Sequence, residues 1–305
     1  MDRQTSLSKA LRSLEGLSTG DAFGELFFSL SPRQYSPADL PSGPWRWTDD
    51  THMALSIVEI LARYGHFDQD ALARAFARRF VQEPYRGYAS GARSLLQQVA
   101  KGVDWRELSP RLFGGGSYGN GAAMRVAPVG GYFFRDLKRA ASEARLSAVV
   151  THAHPEAQAG AVAVAVAAGI AANRPTPKGS DFLKEVLPYV PGGLTKGGIQ
   201  SARRIPADDL EIAARELGTG YEVSAQDTVP FCLWSAAYHL DNFEEALWWT
   251  VKGLGDRDTT CAIVGGIVAL SAPEIPDSWL QRREPLKKYM EWLADLPVDS
   301  GSDTA

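Results

Sequence analysis

Two short acidic segments contain the residues best suited to chemistry in this sequence. They read Trp47-Thr48-Asp49-Asp50-Thr51 and Gly255-Asp256-Arg257-Asp258-Thr259-Thr260. Each precedes a stretch with helical periodicity, so the simplest interpretation is helix capping, in which one Asp or Thr accepts a hydrogen bond from a free N–H group. Capping needs only one such group, whereas each segment offers two carboxylates and threonine hydroxyls.

If the fold brings the two segments together, their side chains form a set of ligands made entirely of oxygen atoms. Four clustered carboxylates repel one another unless cations lie between them. Mg²⁺ and Mn²⁺ prefer oxygen ligands, and two such ions about 4 Å apart fit this number of ligands. The spacing therefore predicts a site for two divalent cations, Mg²⁺ or Mn²⁺.

A glycine-rich segment, Gly114 to Gly121 with the sequence GGGSYGNG, is the third candidate. One interpretation is a flexible loop. The other is a phosphate-binding loop, in which bare backbone N–H groups approach a ligand closely and Ser117, Tyr118 and Asn120 add hydrogen bonds or a stacking face. The GxGxxG pattern within it is weak, because no strand precedes it. His152 has two similar interpretations, a hydrogen-bonded structural residue or a ligand contact.

Helical periodicity dominates the elements that must position these residues. Apolar residues recur on one face from Met53 to Tyr64 and from Leu72 to Phe80. Further helices are predicted near residues 135–150, 155–172, 207–217, 228–239, 243–252, 259–270 and 278–293. Loops are predicted at 31–44, 113–119, 174–180 and 188–205. Convincing strands are absent, so the sequence predicts an all-α fold, a single compact orthogonal helical bundle over residues 1–305 with the last ten or so as a disordered tail.

Composition excludes several classes of protein. The chain has 305 residues, 45% hydrophobic residues and a formal net charge of −4. It is too apolar for a disordered chain and too acidic for nonspecific nucleic-acid binding. The apolar run Ala159–Ala172 is too short for a bilayer, the N-terminus lacks a signal-peptide core, and Cys232 and Cys261 suggest buried thiols. We therefore expect a cytoplasmic protein with no membrane partner.

These motifs, taken in order, resemble the ADP-ribosylglycohydrolase family, which includes the dinitrogenase reductase-activating glycohydrolase. The resemblance runs from about residue 8 to about residue 280. The matching segments are Gly20-Asp21-Ala22-Phe23-Gly24, Trp47 to Thr51, Arg86-Gly87-Tyr88, Gly116 to Arg125, Thr151-His152 and Gly255 to Thr259.

The resemblance implies an all-α fold around a two-metal site that removes ADP-ribose from modified protein side chains or related conjugates. The metal ligands it implies are Thr48, Asp49, Asp50, Asp256, Asp258 and Thr259. The substrate-binding residues it implies are Gly116, Ser117, Tyr118, Gly119, Asn120, Gly121 and His152. Cleavage of a glycosidic bond also needs a general acid or base, for which the candidates are Asp49, Asp50, Asp258 and Glu25.

The sequence departs from the family pattern at two places. Arg257 stands between the two acids of the second segment, where the family usually has Thr or Ala, and is expected to point away from the metals. Several family members have a glutamate a few residues after the GDxxG turn, whereas this chain has Phe28 there and its nearest acid is Glu25.

The alternative to an enzyme is a catalytically inactive ADP-ribose-binding or structural protein on the same fold.

Overall fold

Fifteen α-helices and no β-strand make up the part of the chain that the computed structural model describes, residues 3–36 and 38–295. The helices are α1 (Arg3–Leu26), α2 (Asp49–Tyr64), α3 (Gln69–Gln82), α4 (Ser90–Ala100), α5 (Trp105–Leu108), α6 (Ala127–Tyr132), α7 (Leu137–Val149), α8 (Pro155–Ala171), α9 (Gly179–Val186), α10 (Leu194–Ala202), α11 (Leu210–Leu217), α12 (Ala225–Tyr238), α13 (Phe243–Val251), α14 (Arg257–Val268) and α15 (Asp277–Arg282). Short 3₁₀ helices cover Pro32–Gln34, Ser109–Gly114, Asn120–Ala122, Lys287–Tyr289 and Glu291–Asp295. The predicted all-α fold is confirmed.

Most predicted helical segments correspond to helices, namely α2, α3, α7, α8 and α11 to α14. The prediction of one helix over 278–293 is wrong, because α15 ends at Arg282 and Pro285 follows shortly after it. Proline lacks an N–H group and its ring clashes with the preceding helical turn, so the chain continues in short 3₁₀ helices.

The segment 188–205, predicted as a loop, contains α10. The first N–H groups of this helix, those of Leu194 and Thr195, donate to the Glu156 carboxylate at 2.7 and 2.8 Å. An acidic group at a helix N-terminus stabilises the helix. Gly197 and Gly198 favour a loop from composition alone, so the helix depends on a partner that lies far away in the sequence.

Three glycines at four-residue intervals let α1 pack directly on α14. A Cβ atom added at any of them would overlap a backbone carbonyl oxygen of α14. The three are Gly16, Gly20 and Gly24. This close approach places Asp21, which lies within α1, beside Asp258 in the first turn of α14.

Both acidic segments lie at helix N-termini, as the sequence predicted. Thr48 is the N-cap residue of α2, and Asp256 occupies the same position in α14. The orientation of α2 and α14 within the bundle therefore determines where the predicted ligands point.

The remaining sequence predictions have mixed outcomes. Cys232 and Cys261 are free and buried, as predicted. The apolar run is almost entirely within the buried helix α8. Among the described residues, no helix is both long and apolar enough to cross a bilayer. The single domain over residues 1–305 stays a prediction, and the predicted disordered tail lies outside the described residues.

Candidate active site

Three carboxylates from three helices meet inside the bundle. Asp21 belongs to α1, Asp50 to α2 and Asp258 to α14, and one carboxylate oxygen of each lies within 4.8 Å of the others. Asp21 and Asp50 are buried, and Asp258 is half-buried. The two predicted acidic segments therefore converge, and an acid from α1 joins them.

Asp21 holds the two threonines that flank the first acidic pair. Its carboxylate accepts hydrogen bonds from the N–H group of Thr48 at 3.0 Å and from the N–H group of Thr51 at 3.0 Å. The two hydroxyls lie 2.9 and 2.5 Å from its oxygens. Asp21 is not among the predicted site residues. The one signal for it in the sequence is its place in the Gly20 to Gly24 segment.

The Asp50 carboxylate has an unused oxygen. Its Oδ1 atom is buried and has no hydrogen-bond partner among the described residues, while Oδ2 lies 3.0 Å from the Thr48 hydroxyl. A buried carboxylate oxygen without a donor is unfavourable unless a cation neutralises it. Burial, and then the charges of Asp21 and Asp49, raise the pKa of Asp50 well above its ordinary value.

This chemistry fits a hard divalent cation. The cluster offers carboxylate and hydroxyl oxygens, the ligands that Mg²⁺ and Mn²⁺ prefer. Burial, and then the charges of Asp50 and Asp256, likewise raise the pKa of Asp258. Acids that repel one another in a buried site become favourable when positive charge lies among them. The buried cluster could therefore hold a metal ion.

The other predicted ligands surround the cluster. Asp49, Asp256 and Thr259 line the cavity beside it, whereas Thr48 lines a neighbouring opening. Burial, and then the charge of Asp21, raise the pKa of Asp49 to about 8. Five of the six predicted ligands thus line the cavity, and the hydroxyl of the sixth, Thr48, lies 3.0 Å from the Asp50 carboxylate.

The capping interpretation explains only part of these residues. The Thr48 hydroxyl accepts a hydrogen bond from the Asp50 N–H group at 3.4 Å and caps α2. Asp256 stands at the N-cap position of α14, but its side chain makes no capping hydrogen bond. Capping therefore does not account for the clustered carboxylates.

A cavity of about 410 Å³ opens beside the acidic cluster, a volume typical of a small-molecule site. Besides the acids, it is lined by the predicted substrate-binding residues Ser117, Tyr118, Gly119, Asn120, Gly121 and His152. Gly116, also predicted to bind substrate, does not line the cavity. It packs against Ala153 and His154 instead, where an added Cβ atom would meet their backbone. Five of the six predicted metal ligands and six of the seven predicted substrate-binding residues thus line one cavity.

The glycine loop is anchored to the rest of the site. The Asn120 N–H group donates to the Val223 carbonyl at 3.2 Å, and the Ala225 N–H group donates to the Tyr118 carbonyl at 2.9 Å. The Asn120 amide donates to the Asp256 carboxylate at 2.7 Å. These bonds disfavour the interpretation of this segment as a merely flexible loop, because they tie it to an acidic segment.

A second depression of about 660 Å³, the side opening, adjoins the cavity, and both are lined by Gly87 and Asp258. Glu25, an exposed residue, lies in the side opening together with Phe28 and not in the cavity. Although the residue as a whole is exposed, its carboxyl group is partly enclosed, and this partial burial, and then the charge of Asp256, raise its pKa.

Arg257 is directed away from the cavity, as expected. Its guanidinium donates to the Phe27 carbonyl at 2.6 Å and lies 5.1 Å from the centre of the Phe28 ring. The guanidinium of Arg257, which interrupts the second acidic segment, therefore contacts the turn that follows α1.

The fold and site define an all-α protein with a buried acidic cluster beside a ligand-sized cavity. The model of the ADP-ribosylglycohydrolase family matches residues 2–303. The chain belongs to that family, as the sequence motifs indicated.

Several known proteins are similar to this chain. A protein of Archaeoglobus fulgidus without an assigned function is 33% identical over 294 residues, which cover 92% of either chain. Human ADP-ribosylhydrolase ARH3 is 26% identical over 332 residues, covering 92% of this chain and 90% of its own. ADP-ribosylarginine hydrolase Tri1 of Serratia proteamaculans is also 26% identical, over 304 residues that cover 91% of this chain and 75% of its own.

A solved structure described as an ADP-ribosylglycohydrolase-related protein complex matches with a TM-score of 0.62 and 25% identity, covering 95% of this chain and 97% of its own. Together with the family membership, these similarities support ADP-ribosyl hydrolase activity in general.

Proposed function

We propose that this protein is a metal-dependent hydrolase that cleaves the N- or O-glycosidic bond of ADP-ribose attached to protein side chains, or to related conjugates. The observation that carries the proposal is the buried cluster of carboxylates, with the unpaired Oδ1 atom of Asp50, at the junction of the cavity and the side opening. Such a position suits a substrate with two parts joined by the bond that breaks.

Two divalent cations, Mg²⁺ or Mn²⁺, would be held by six residues of α2, α14 and the residues just before them. These residues are Thr48, Asp49, Asp50, Asp256, Asp258 and Thr259. When bound, the ions would supply positive charge that orients the ribose hydroxyls through their oxygen atoms and favours deprotonation of the attacking water. Asp21 orients Thr48 through its hydrogen bonds to the N–H and hydroxyl groups of that residue.

The ADP-ribose part would occupy the cavity. Its pyrophosphate would lie against the glycine loop, where Gly119 and Gly121 present backbone without a side chain to the ligand. Tyr118, which is about half exposed, offers a ring face. His152 offers a nitrogen atom beside these glycines.

The leaving side chain would lie in the side opening, with its glycosidic bond near Asp258. Three carboxyl groups line this opening, and Glu25 is the one without a hydrogen-bond or ion-pair partner within residues 3–36 and 38–295, since Glu83 is bonded to Arg86 and Asp258 accepts from the Thr259 N–H group. A carboxyl group donates a proton to a leaving atom only in its protonated form, and partial burial raises the pKa of Glu25 above its ordinary value. We propose Glu25 as this general acid.

A general base must act from the other side of the same bond. Asp49, Asp50 and Asp258 are the candidates, because they lie at the cavity wall where a water molecule can approach the anomeric carbon. Oxocarbenium-like charge on the ribose would be stabilised by these carboxylates. The protein is proposed to act in the cytoplasm on ADP-ribosylated targets, without nonspecific nucleic-acid or membrane binding.

The experiment that tests the function is an assay of ADP-ribose release from defined conjugates. Peptides carrying ADP-ribosylated arginine or serine, and an ADP-ribosylated nucleic acid, are each incubated with metal-stripped protein, with and without added Mg²⁺ or Mn²⁺. We expect release from at least one of them that needs the metal. The matched control is the double variant D50N/D258N, which should release nothing.

Two results would contradict the proposal. Full turnover by metal-stripped protein in excess EDTA would remove the metal dependence. Binding of ADP-ribose without release from any conjugate, with metal present, would make the protein the inactive binding protein that was the alternative.

A further inference from the structure

A buried arginine lies behind the cavity wall. Arg125 is fully buried, and no carboxylate within the described residues lies at ion-pair distance from it. Its guanidinium lies 4.4 Å from the centre of the Phe76 ring, and one nitrogen donates to the Ser147 carbonyl at 3.2 Å. A buried cation without an anion is costly. The hydrogen bonds of Arg125 must therefore offset part of the cost of burying its charge.

The shortest of these bonds leads toward the cavity. The Nη2 atom of Arg125 donates to the Thr151 hydroxyl oxygen at 2.8 Å. That oxygen in turn lies 2.7 Å from the Nδ1 atom of His152. Three consecutive groups thus form a chain from the buried guanidinium to the imidazole ring.

The direction of the second bond follows from the first. A guanidinium can only donate, so it uses a lone pair of the Thr151 hydroxyl oxygen. The single hydroxyl hydrogen of Thr151 has no other acceptor within hydrogen-bond distance in the described part of the chain, so it points to Nδ1 of His152. Nδ1 is then an acceptor, and in a neutral ring the hydrogen must be on Nε2.

The Nε2 atom of His152 lies on the edge of the ring that faces the glycine loop. A Cβ atom added at Gly121 or Gly119 would lie 2.9 or 3.4 Å from it, and His152 lines the cavity. Within residues 3–36 and 38–295, no hydrogen bond of Nε2 to the protein is present. Nδ1 of the ring is therefore bonded to Thr151, whereas Nε2 is available to a ligand in the cavity.

We propose that Arg125 and Thr151 are positioning residues that hold His152 as the neutral Nε2–H tautomer, so that the cavity presents a fixed hydrogen-bond donor to an acceptor atom of the nucleotide. The identity of that nucleotide as ADP-ribose rests on the function proposed above. Burial, and then the charge of Arg125, lower the pKa of His152 to about 3, which also keeps the ring neutral.

The tautomer can be measured without any ligand. Long-range ¹H–¹⁵N spectra at pH 7 of metal-stripped protein distinguish an acceptor nitrogen from a protonated one, and H152Q assigns the signal among the five histidines. We expect the Nε2–H tautomer in the wild type. It should persist in T151S, which keeps the hydroxyl, and give way to a mixture of tautomers in T151V, which has the same shape without it.

Affinity for ADP-ribose provides the second measurement, by titration calorimetry. T151V should bind roughly 3- to 10-fold more weakly, the loss of about one oriented hydrogen bond, and T151S should bind as the wild type does. A merely structural role for Thr151 would lower thermal stability in T151V without changing the tautomer.

Three results would overturn the inference. They are a wild-type signal of the Nδ1–H tautomer or of imidazolium, an unchanged tautomer in a folded T151V, and equal affinities of T151V and wild type for ADP-ribose. The first does not depend on T151V being folded. Failure of the wild type to bind ADP-ribose would refute the proposed function instead, and the tautomer measurement would still decide the arrangement of Arg125, Thr151 and His152.

Discussion

The two acidic segments show how single residues can be assigned to capping or to metal binding. Asn caps a helix about as well as Asp, so Asp258→Asn keeps any capping role and removes the charge. Because the Asp258 carboxyl repels Asp50 and Asp256, we expect the metal-free variant to be as stable as the wild type or slightly more so. Its activity should fall by roughly 100-fold or more, about 2.7 kcal/mol of transition-state stabilisation.

Steady-state rates with Mg²⁺ and thermal melts without it check this prediction. Asp50→Asn should behave in the same way, and the exposed residue Asp39 supplies the control Asp39→Asn, which should change neither rate nor melting temperature. Near-full activity in both site variants would show that Asp50 and Asp258 serve only as helix caps.

Gly119 provides a second prediction, because it lines the cavity without a side chain. An added Cβ would lie 3.2 Å from the Ser117 hydroxyl oxygen and 3.4 Å from Nε2 of His152, and the branches of valine would extend into the ligand space. We expect Gly119→Val to bind ADP-ribose at least tenfold more weakly with little change in melting temperature, as measured by calorimetry and thermal melts.

The matched control is Gly115→Ala in the same loop, where an added Cβ has no atom within 4 Å. It should keep wild-type affinity. Equal binding by Gly119→Val and Gly115→Ala would refute close approach of the ligand at Gly119.

Much of the site was predictable from residue types, but Asp21 was not. The six proposed metal ligands lie in two short segments whose composition indicates oxygen chemistry. Asp21 acts through Thr48 and Thr51, about thirty positions away, and a pair of that kind exists only after α1 and α2 have packed. Likewise, no local pattern relates Arg125 to the cavity.

At the scale of elements, amphipathic helices were predictable and α1 was not. Many residues that α1 buries are small or polar, such as Ser13, Ser18 and Thr19, so the helix lacks an apolar stripe. Its glycines indicate turns by composition. They form part of a helix because α14 packs against them. A short stretch of sequence around the glycines does not reveal this contact, because α14 lies far away in the chain.

The contact between α1 and α14 yields an element-scale prediction. In Gly20→Ala the new Cβ would overlap the Cys261 carbonyl oxygen, so the two helices must move apart. We expect a loss of about 1–3 kcal/mol in the free energy of unfolding, or more. The same displacement would separate Asp21 from Asp258, so the affinity for Mg²⁺ should fall in the folded protein. Denaturant titration and metal titration measure the two effects.

Gly197→Ala in α10 is the control, since an added Cβ there has no atom within 4 Å. It should be neutral or stabilise the protein by about 0.5–1 kcal/mol, because alanine favours a helix over glycine. If Gly20→Ala were as stable and bound metal as tightly as Gly197→Ala, the close packing of α1 on α14 would not position the site.

The charges of the whole molecule predict how stability depends on pH when metal is absent. The folded pKa is about 8 for Asp49 and about 6 for Asp21, both raised above that of an exposed aspartate by burial. The metal-free folded protein therefore keeps protons that the unfolded chain releases near pH 4. This contribution to stability is complete below about pH 4 and is lost as pH rises through these folded pKa values.

We therefore expect the melting temperature of metal-stripped protein to fall between about pH 5 and pH 8. Mg²⁺ at 100 times its dissociation constant should restore about 2.7 kcal/mol at the upper end, because only the folded chain gathers the ligands. Calorimetric scans of wild type and Asp50→Asn check both effects, and the variant should show a smaller pH slope and no response to Mg²⁺. A wild-type melting temperature that changed neither with pH nor with Mg²⁺ would contradict a metal site.

The side opening also bears on how the two products of the proposed reaction would leave the site. Gly87 and Asp258 line both the cavity and the side opening, so under the proposed function the two halves of a cleaved conjugate would lie in different depressions. Each half would then leave from its own depression, and free ADP-ribose would compete with substrate for the cavity. Under the proposed function a target protein would need to present only one modified side chain at the side opening, so the volume of the cavity would limit the nucleotide and not the size of the target.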